Sequence, residues 1–320
     1  MDAESVSKVV VVGVGTMGPG IAAEFARAEC EVTLVDVSQE VLQTAVRSVR
    51  DAQRAQLEAG LLTKSEAEAA VTRIRTTLDL ARACKDADLL LEAVSEDLEL
   101  KRMLYKRLDV VCGADTVLAS NTSGLSITKI AQATKRPASV AGMHFWNPPH
   151  IIPLVEVVRG ENTSQATADL LLSLCRRLGK RPILVQRDVP GFVGNRLQFA
   201  VMREALHLLE EGVASAEDID TAMTAGPGLR YGLLGPLRTA DLGGLDVFVA
   251  ICRYLLPKLC SSTETPRVLS SLVEEDHLGA KTGAGFYSYT ADQLAGFVRR
   301  RDRVLLGFLK TLRETSAGMD

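Results

Sequence analysis

A doubly wound α/β domain followed by an all-helical domain is the fold that the sequence predicts. Three observations carry the prediction. Short β-branched runs alternate with helix-length amphipathic segments through the first 187 residues. The first such run ends in a glycine-rich turn that opens a helix. After Asp188-Val189-Pro190-Gly191 the strand signal stops and long 3.6-residue periodicities take over. At 320 residues, the chain has room for about two domains of ordinary size.

The elements follow in order. Lys8–Val12 and Glu31–Val35 are β-branched strands, and 17–28 between them is Ala-rich and helix-compatible. A strand–helix–strand unit of that length favours a right-handed parallel crossover. From 38 to 73 there is no strand signal. Val41, Leu42, Ala45, Val46 and Val49 recur at helical spacing, and Gly60 ends that helix. Thr63–Ser65 starts another, so 38–73 reads as an inserted helical pair. Arg47, Arg50 and Arg54 share one face of its first helix. Strands are then expected at 89–94, 117–120, 139–144, 154–158 and 182–185, with helices at 98–111, 127–133 and 164–178. The predicted domains are 1–187, carrying the insertion, and 188–320. In the second, 192–211, 245–259 and a tail at 291–313 read as helices, and Ser215 with Asp218 resembles a capping box.

Composition bounds the function. Hydrophobic residues make up 47%, enough for a real core, and the net charge of −3 gives no reason to expect nucleic acid or an acidic membrane as partner. No apolar run reaches bilayer length, and the start, Met1 to Lys8, reads as too short and polar for a signal peptide. The six cysteines lack a CxxC spacing, which predicts reduced, mostly buried thiols, no structural zinc site and a cytoplasmic location. Only His144, His150, His207 and His277 are available for imidazole chemistry.

Four stretches carry candidate chemistry. In Gly13-Val14-Gly15-Thr16-Met17-Gly18, Gly13 permits the tight turn, Gly15 lets backbone approach a pyrophosphate, and Gly18 lets helix and strand pack closely. The helix start beyond it, with Thr16 and Met17 in the loop, binds phosphate. Asp36 closes the second strand. Its carboxylate suits the ribose hydroxyls of NAD and repels the extra phosphate of NADP.

In the second stretch, His144 ends a strand, Pro148, Pro149 and Pro153 stiffen a reversal, and Glu156 lies on the next strand. Were the two to meet across the turn, the carboxylate would fix the imidazole tautomer and make His144 a general base. A structural His beside a partly buried Glu fits the same residues. Ser120-Asn121-Thr122-Ser123 ends another strand, and serves either to bond a substrate oxygen or to cap a helix. Gly191-Phe192-Val193-Gly194-Asn195-Arg196-Leu197 opens the long helix of the second half, where Asn195 reads equally as a cap.

Taken together with Lys281-Thr282-Gly283-Ala284-Gly285-Phe286-Tyr287, these stretches make the chain resemble the L-3-hydroxyacyl-CoA dehydrogenase family, 3-hydroxybutyryl-CoA dehydrogenases included, over nearly its whole length. The resemblance implies a Rossmann-type domain, a helical domain that dimerises, NAD as cofactor and a small-molecule substrate. It implies His144 as base, Glu156 as its partner, and Ser123 and Asn195 as hydrogen-bond partners of the reacting oxygen. It adds Glu96, Lys101 and Asn121 to the cofactor contacts, and no metal.

Gly226-Pro227-Gly228-Leu229-Arg230-Tyr231-Gly232-Leu233-Leu234-Gly235-Pro236 and the helical tail are more similar to the lambda-crystallin/gulonate 3-dehydrogenase branch. The acyl-CoA enzymes tend to carry a Ser and a Lys contacting CoA on the first inserted helix, where this chain has Ala52 and Ala59. Arg54, with its neighbours Arg47 and Arg50, stands there either as an alternative phosphate contact or as part of a solvated helix face. Arg230 reads either as a partner for a substrate carboxylate or as a surface ion-pair or structural residue. The expected reaction is therefore NAD-dependent oxidation of a short 3-hydroxyacyl-CoA. A free hydroxy acid or hydroxymethyl compound, without CoA, is the alternative.

Overall fold

A computed structural model describes residues 2–316. The chain divides into two compact units. The first runs to Asn195 and also takes the residues from Arg299 onward; the second is Arg196–Val298.

The first unit is built on an eight-stranded sheet. β1 (Lys8–Val12) is four-fifths buried, as befits a central strand covered on both faces. α1 (Gly18–Arg27) returns the chain to β2 (Glu31–Val35), parallel to β1 with Val10 opposite Thr33. The inserted pair follows. α2 (Gln39–Glu58) starts on the Ser38 hydroxyl, and α3 (Lys64–Thr72) on a reciprocal Thr63–Glu66 capping box. Next come β3 (Ile74–Thr77) and α4 (Leu80–Cys84), then β4 (Leu89–Glu92) and α5 (Leu98–Val111). After them come β5 (Val117–Ser120), α6 (Ile127–Ala131), β6 (Val140–Phe145), β7 (Leu154–Arg159), α7 (Gln165–Arg177) and β8 (Arg181–Val185). The spatial order is β3-β2-β1-β4-β5-β6-β7-β8. Strands β1 to β6 are parallel, β7 runs antiparallel to β6, and β8 is parallel to β7.

Two features depart from the expectation. β3 and α4 were not predicted. Ile-Arg-Thr-Thr is a partly exposed edge strand whose Arg75 and Thr76 face solvent, so it lacks the apolar run that marked the others. The expected boundary at 188 assigned the tail to the helical domain. Instead, its end counts with the first unit, where Leu306 and Leu309, one helical turn apart, are buried.

The second unit is helical. α8 (Gly194–Glu210) runs into it from the junction, followed by α9 (Ala216–Ala225), α10 (Pro227–Tyr231), α11 (Gly235–Gly243), α12 (Leu245–Leu255) and α13 (Arg267–Glu274). α14 (Ala291–Ser316) leads out of it. The Ser215 hydroxyl caps α9 by accepting from Asp218 N. Within this unit Leu206 is the single fully buried apolar side chain among the described residues, and Phe199, Leu237 and Leu242 are mostly exposed. Of the cysteines, Cys30, Cys84 and Cys175 are buried, Cys112 and Cys260 half-buried and Cys252 exposed. No described helix is long and apolar enough to cross a membrane.

Candidate active site

The glycine loop sits at the carboxyl end of β1, where a doubly wound sheet binds its ligands. Gly13 has φ +90°, and a methyl group there would lie 2.7 Å from the backbone of Ala93. One on Gly18 would lie 2.3 Å from the Gly13 carbonyl, so the helix start is packed directly onto the turn. Above Gly15 nothing lies within 4 Å, which is the open approach a pyrophosphate needs. Thr16 is exposed and Met17 forms the N-cap position of α1.

Asp36 accepts hydrogen bonds from Val14 N (3.0 Å) and Val37 N (2.7 Å), locking β2 to the loop. A cleft of about 650 Å3 opens over these residues. Val41, Leu78 and Leu104 wall it, with Arg107 at its edge. Its largely apolar wall, with one carboxylate and an open glycine loop, fits the adenosine and pyrophosphate of NAD. Arg107 was missed because it comes from α5, far from the loop in sequence.

Lys101 is fully buried. Its ammonium donates to Glu92 Oε1 (2.5 Å) and to the Val94 carbonyl (3.2 Å), and lies 3.5 Å from Glu96 Oε2. Glu96 in turn accepts from Thr122 Oγ1 (2.6 Å) and Ser123 N (2.8 Å). These two expected cofactor residues therefore brace the 120–123 loop from behind. Asn121 Oδ1 accepts from Phe145 N (2.8 Å) and ties the ends of β5 and β6 together.

Antiparallel pairing makes His144 and Glu156 direct cross-strand partners. Their side chains meet, with His144 Nδ1 2.8 Å from Glu156 Oε2. The carboxylate is fully buried and accepts three further bonds: from Trp146 Nε1 (3.3 Å), and from Val193 N and Gly194 N (3.0 Å each) on Oε1. Burial pushes its pKa up, but the His144 bond and the two backbone N–H groups outweigh that and hold it below the usual carboxylate value. It is ionised at neutral pH. A neutral His144 then carries its proton on Nδ1 and turns the Nε2 lone pair away from the carboxylate. The imidazole lies between the rings of Trp146 (5.6 Å) and Phe192 (6.0 Å, edge-on).

The segment supplying those backbone donors is unusual. Gly191 (φ +74°) and Phe192 (φ +49°) are both left-handed, which turns the next two N–H groups onto Glu156. Burial of the Phe192 ring offsets the strain. Asp188 anchors the segment by accepting from Ser126 Oγ (2.8 Å) and Thr128 N (2.6 Å). A methyl on Gly194 would lie 2.3 Å from the Trp146 ring, so this position requires glycine. Asn195 Nδ2 donates to the Ser123 carbonyl (2.8 Å), while the Ser123 side chain is exposed. The structure thus joins His144 to Glu156 across β6 and β7, and Asn195 to Ser123, and the 193–195 segment bonds to both pairs.

Arg54 is exposed on α2 and bonded to Asp51 (2.9 Å), and Arg47 to Thr44 (2.8 Å). Ala52 faces the core and Ala59 is half-buried. Arg230 is exposed on α10 of the second unit. No cluster of three or more His, Cys, Asp or Glu suited to a metal ion occurs among the described residues.

A dinucleotide cradle on the same sheet as a buried-carboxylate–histidine pair defines a nicotinamide-dependent dehydrogenase. The comparisons with known proteins agree. Residues 8–189 match the 3-hydroxyacyl-CoA dehydrogenase NAD-binding domain, and residues 191–289 match the C-terminal domain of the same enzymes. The chain belongs to the 3-hydroxyacyl-CoA dehydrogenase family, NAD-dependent oxidoreductases acting on CH–OH groups.

It is 36% identical to the 5-formyl-3-hydroxy-2-methylpyridine 4-carboxylate 5-dehydrogenase of Mesorhizobium japonicum, covering 96% of this chain and 98% of that one. It is 38% identical to the 3-hydroxybutyryl-CoA dehydrogenase of Clostridioides difficile, covering 88% and 99%. Among solved structures, a 5-formyl-3-hydroxy-2-methylpyridine 4-carboxylic acid 5-dehydrogenase superposes with TM-score 0.91 at 35% identity over 96% of this chain and 99% of that one. The (S)-3-hydroxybutyryl-CoA dehydrogenase of Ralstonia eutropha gives 0.74 at 36% identity, over 89% and 100%.

Proposed function

We propose that this enzyme oxidises the 3-hydroxyl of a short-chain L-3-hydroxyacyl-CoA to the ketone, and runs the reverse reaction, with His144 as general base. The four-donor site of Glu156 beside His144 carries this reading. NAD, when bound in the glycine-loop cleft, supplies the hydride acceptor. His144 Nε2 takes the hydroxyl proton, and the imidazolium so formed is stabilised by a carboxylate that its four donors keep ionised. Ser123 Oγ and the Asn195 amide groups left free by the Ser123 carbonyl orient the substrate oxygen without adding charge.

For the CoA end, a groove of about 380 Å3 between α2 and α3 has apolar walls of Leu57, Ala67 and Val71 and basic residues Arg50, Arg54 and Lys64. Arg54 is paired with Asp51 and Lys64 lies 3.8 Å from Glu68, which also lines the groove, so Arg50 is the cation offered to a phosphate beside the apolar slot for an adenine ring.

Ala52, Ala59 and the likeness to the Mesorhizobium pyridine-carboxylate dehydrogenase over 96% of this chain favour a second reading. There the substrate is a free hydroxy acid or hydroxymethyl compound, held without CoA, and Arg230 pairs its carboxylate. Comparing kcat/KM for 3-hydroxybutyryl-CoA with those for free 3-hydroxybutyrate and a pyridine hydroxymethyl carboxylate decides between them. The first reading expects the thioester to win by about 100-fold or more, as loss of a remote binding group costs kcat as well as KM. A free acid turned over faster than the thioester overturns it.

The nearly coreless second unit supports a homodimer in which a second copy covers its apolar helices. The reduced thiols fit the cytoplasm.

A further inference from the structure

We infer that Glu24, Lys180 and Gln56 form a buried polar clamp that positions the turn between His144 and Glu156 on the cofactor helix α1. The inference rests on the reading of His144 and Glu156 as the reacting pair.

Glu24 lies on the inner face of α1, 1% exposed, and Lys180 precedes β8, 7% exposed. Their charged groups are 2.9 Å apart. Gln56, buried on α2, donates from Nε2 to Glu24 Oε1 (2.9 Å) and to the His150 carbonyl (2.8 Å). The Lys180 ammonium also donates to the carbonyls of Pro149 and Ile152. So three carbonyls of one turn, at residues 149, 150 and 152, are held by two side chains from outside it. Arg27 lies 3.3 Å from Glu24 Oε2 and donates to the Leu178 carbonyl.

Burial of a charged pair is a costly way to gain stability, because apolar residues of the same volume pack there at least as well. What an apolar core cannot do is fix the turn's height and rotation through directional bonds. The packing leaves no slack either: a methyl on Gly20 of α1 would lie 3.0 Å from the Pro149 ring. The glycine loop leads directly into α1, and the turn leads directly from His144 toward Glu156. Any shift of the turn against α1 is therefore a shift of the base against the cofactor. Burial raises the Glu24 pKa, but Lys180 and Arg27 outweigh it and hold the carboxyl below its usual value, so the clamp is ionic at working pH. None of the three residues contacts the side chains of His144 or Glu156. They are positioning residues.

The test replaces the charged pair by apolar residues of similar size in the full-length enzyme, as the double variant Glu24→Leu/Lys180→Met. Gln56→Leu is made in parallel, and His144→Ala serves as control. Four readouts are taken: Tm, the Kd for NAD, kcat on the preferred substrate, and the low-field proton resonance of the His144 imidazole N–H bonded to Glu156. The clamp predicts a folded double variant with near-normal NAD affinity, kcat lower by about tenfold or more, and a broadened imidazole resonance, since sub-ångström misplacement is felt chiefly in the chemical step. A folded double variant with unchanged kcat and a sharp resonance overturns the inference. If the double variant does not fold, Gln56→Leu decides by the same readouts, with a loss of about threefold or more expected for the two bonds that Gln56 makes, to Glu24 and to the His150 carbonyl. An active His144→Ala variant overturns the function reading instead. An inactive one beside a fully active double variant overturns the clamp alone.

Discussion

Replacing Glu156 by Gln keeps the shape of the side chain and removes its charge. The native carboxylate accepts four bonds, two on each oxygen. A glutamine satisfies Val193 N and Gly194 N with its carbonyl, which leaves its NH2 facing His144 Nδ1 and Trp146 Nε1. The Trp N–H then meets another donor. The imidazole must turn its lone pair to Nδ1 and carry its proton on Nε2, the nitrogen that receives the substrate proton in the proposed mechanism. At 2.8 Å, a unit charge pair at an effective dielectric of about 20 is worth about 6 kcal/mol, which sets the ceiling for lost imidazolium stabilisation. At about 1.4 kcal/mol per tenfold, this corresponds to about 10^4 in kcat, similar in size to the tautomer penalty in serine-protease triads. Initial rates followed by NADH absorbance, with NAD affinity measured separately, provide the assay. The expected result is a kcat loss of about 10^3 to 10^4 with NAD affinity within a few-fold. A Gln variant retaining more than about a tenth of wild-type kcat refutes the tautomer argument.

With Asp36 assigned to the ribose hydroxyls, Asp36→Ala removes that proposed partner together with one bond to the glycine loop at Val14 N and one to Val37 N, so NAD binding should weaken by about tenfold while NADP binding does not. Titration with both dinucleotides checks this, and an unchanged NAD:NADP ratio refutes the assignment of Asp36. Glu24 and Glu156 both have carboxyl pKa values below the ordinary 4.5. The stability they contribute is complete above that pH and is lost as pH falls through the lower native values. The fall in Tm on acidification below about pH 4.5 should therefore be shallower in Glu24→Gln, and an identical slope would show that Glu24 does not carry it.

Much of this architecture is legible along the chain, for local reasons. Val9 to Val12 are apolar without interruption because β1 is buried on both faces, and Gly13 and Gly18 mark a turn that no side chain could enter, with Gly15 open between them. Thr63 and Glu66 announce α3 by their own hydrogen bonds. β3 escaped notice because an edge strand with Arg75 and Thr76 in solvent has no apolar pattern to read. The Glu24–Lys180 pair escaped for the opposite reason: each residue looks like a surface charge until α1 and β8 are stacked.

Residue types and spacing alone determined the cofactor cradle and the inventory of candidate groups, since those depend on conformations set within a few residues. Only the tertiary structure decided that His144 and Glu156 touch, because that required β7 to reverse direction beside β6 in one particular register. It alone turned the backbone of Val193 and Gly194 onto the same carboxylate, through left-handed residues that the Phe192 side chain gives no reason to expect. Hydrogen bonds of a few ångströms, made between segments tens of residues apart, have no signature in periodicity. They exist only once the sheet has been assembled.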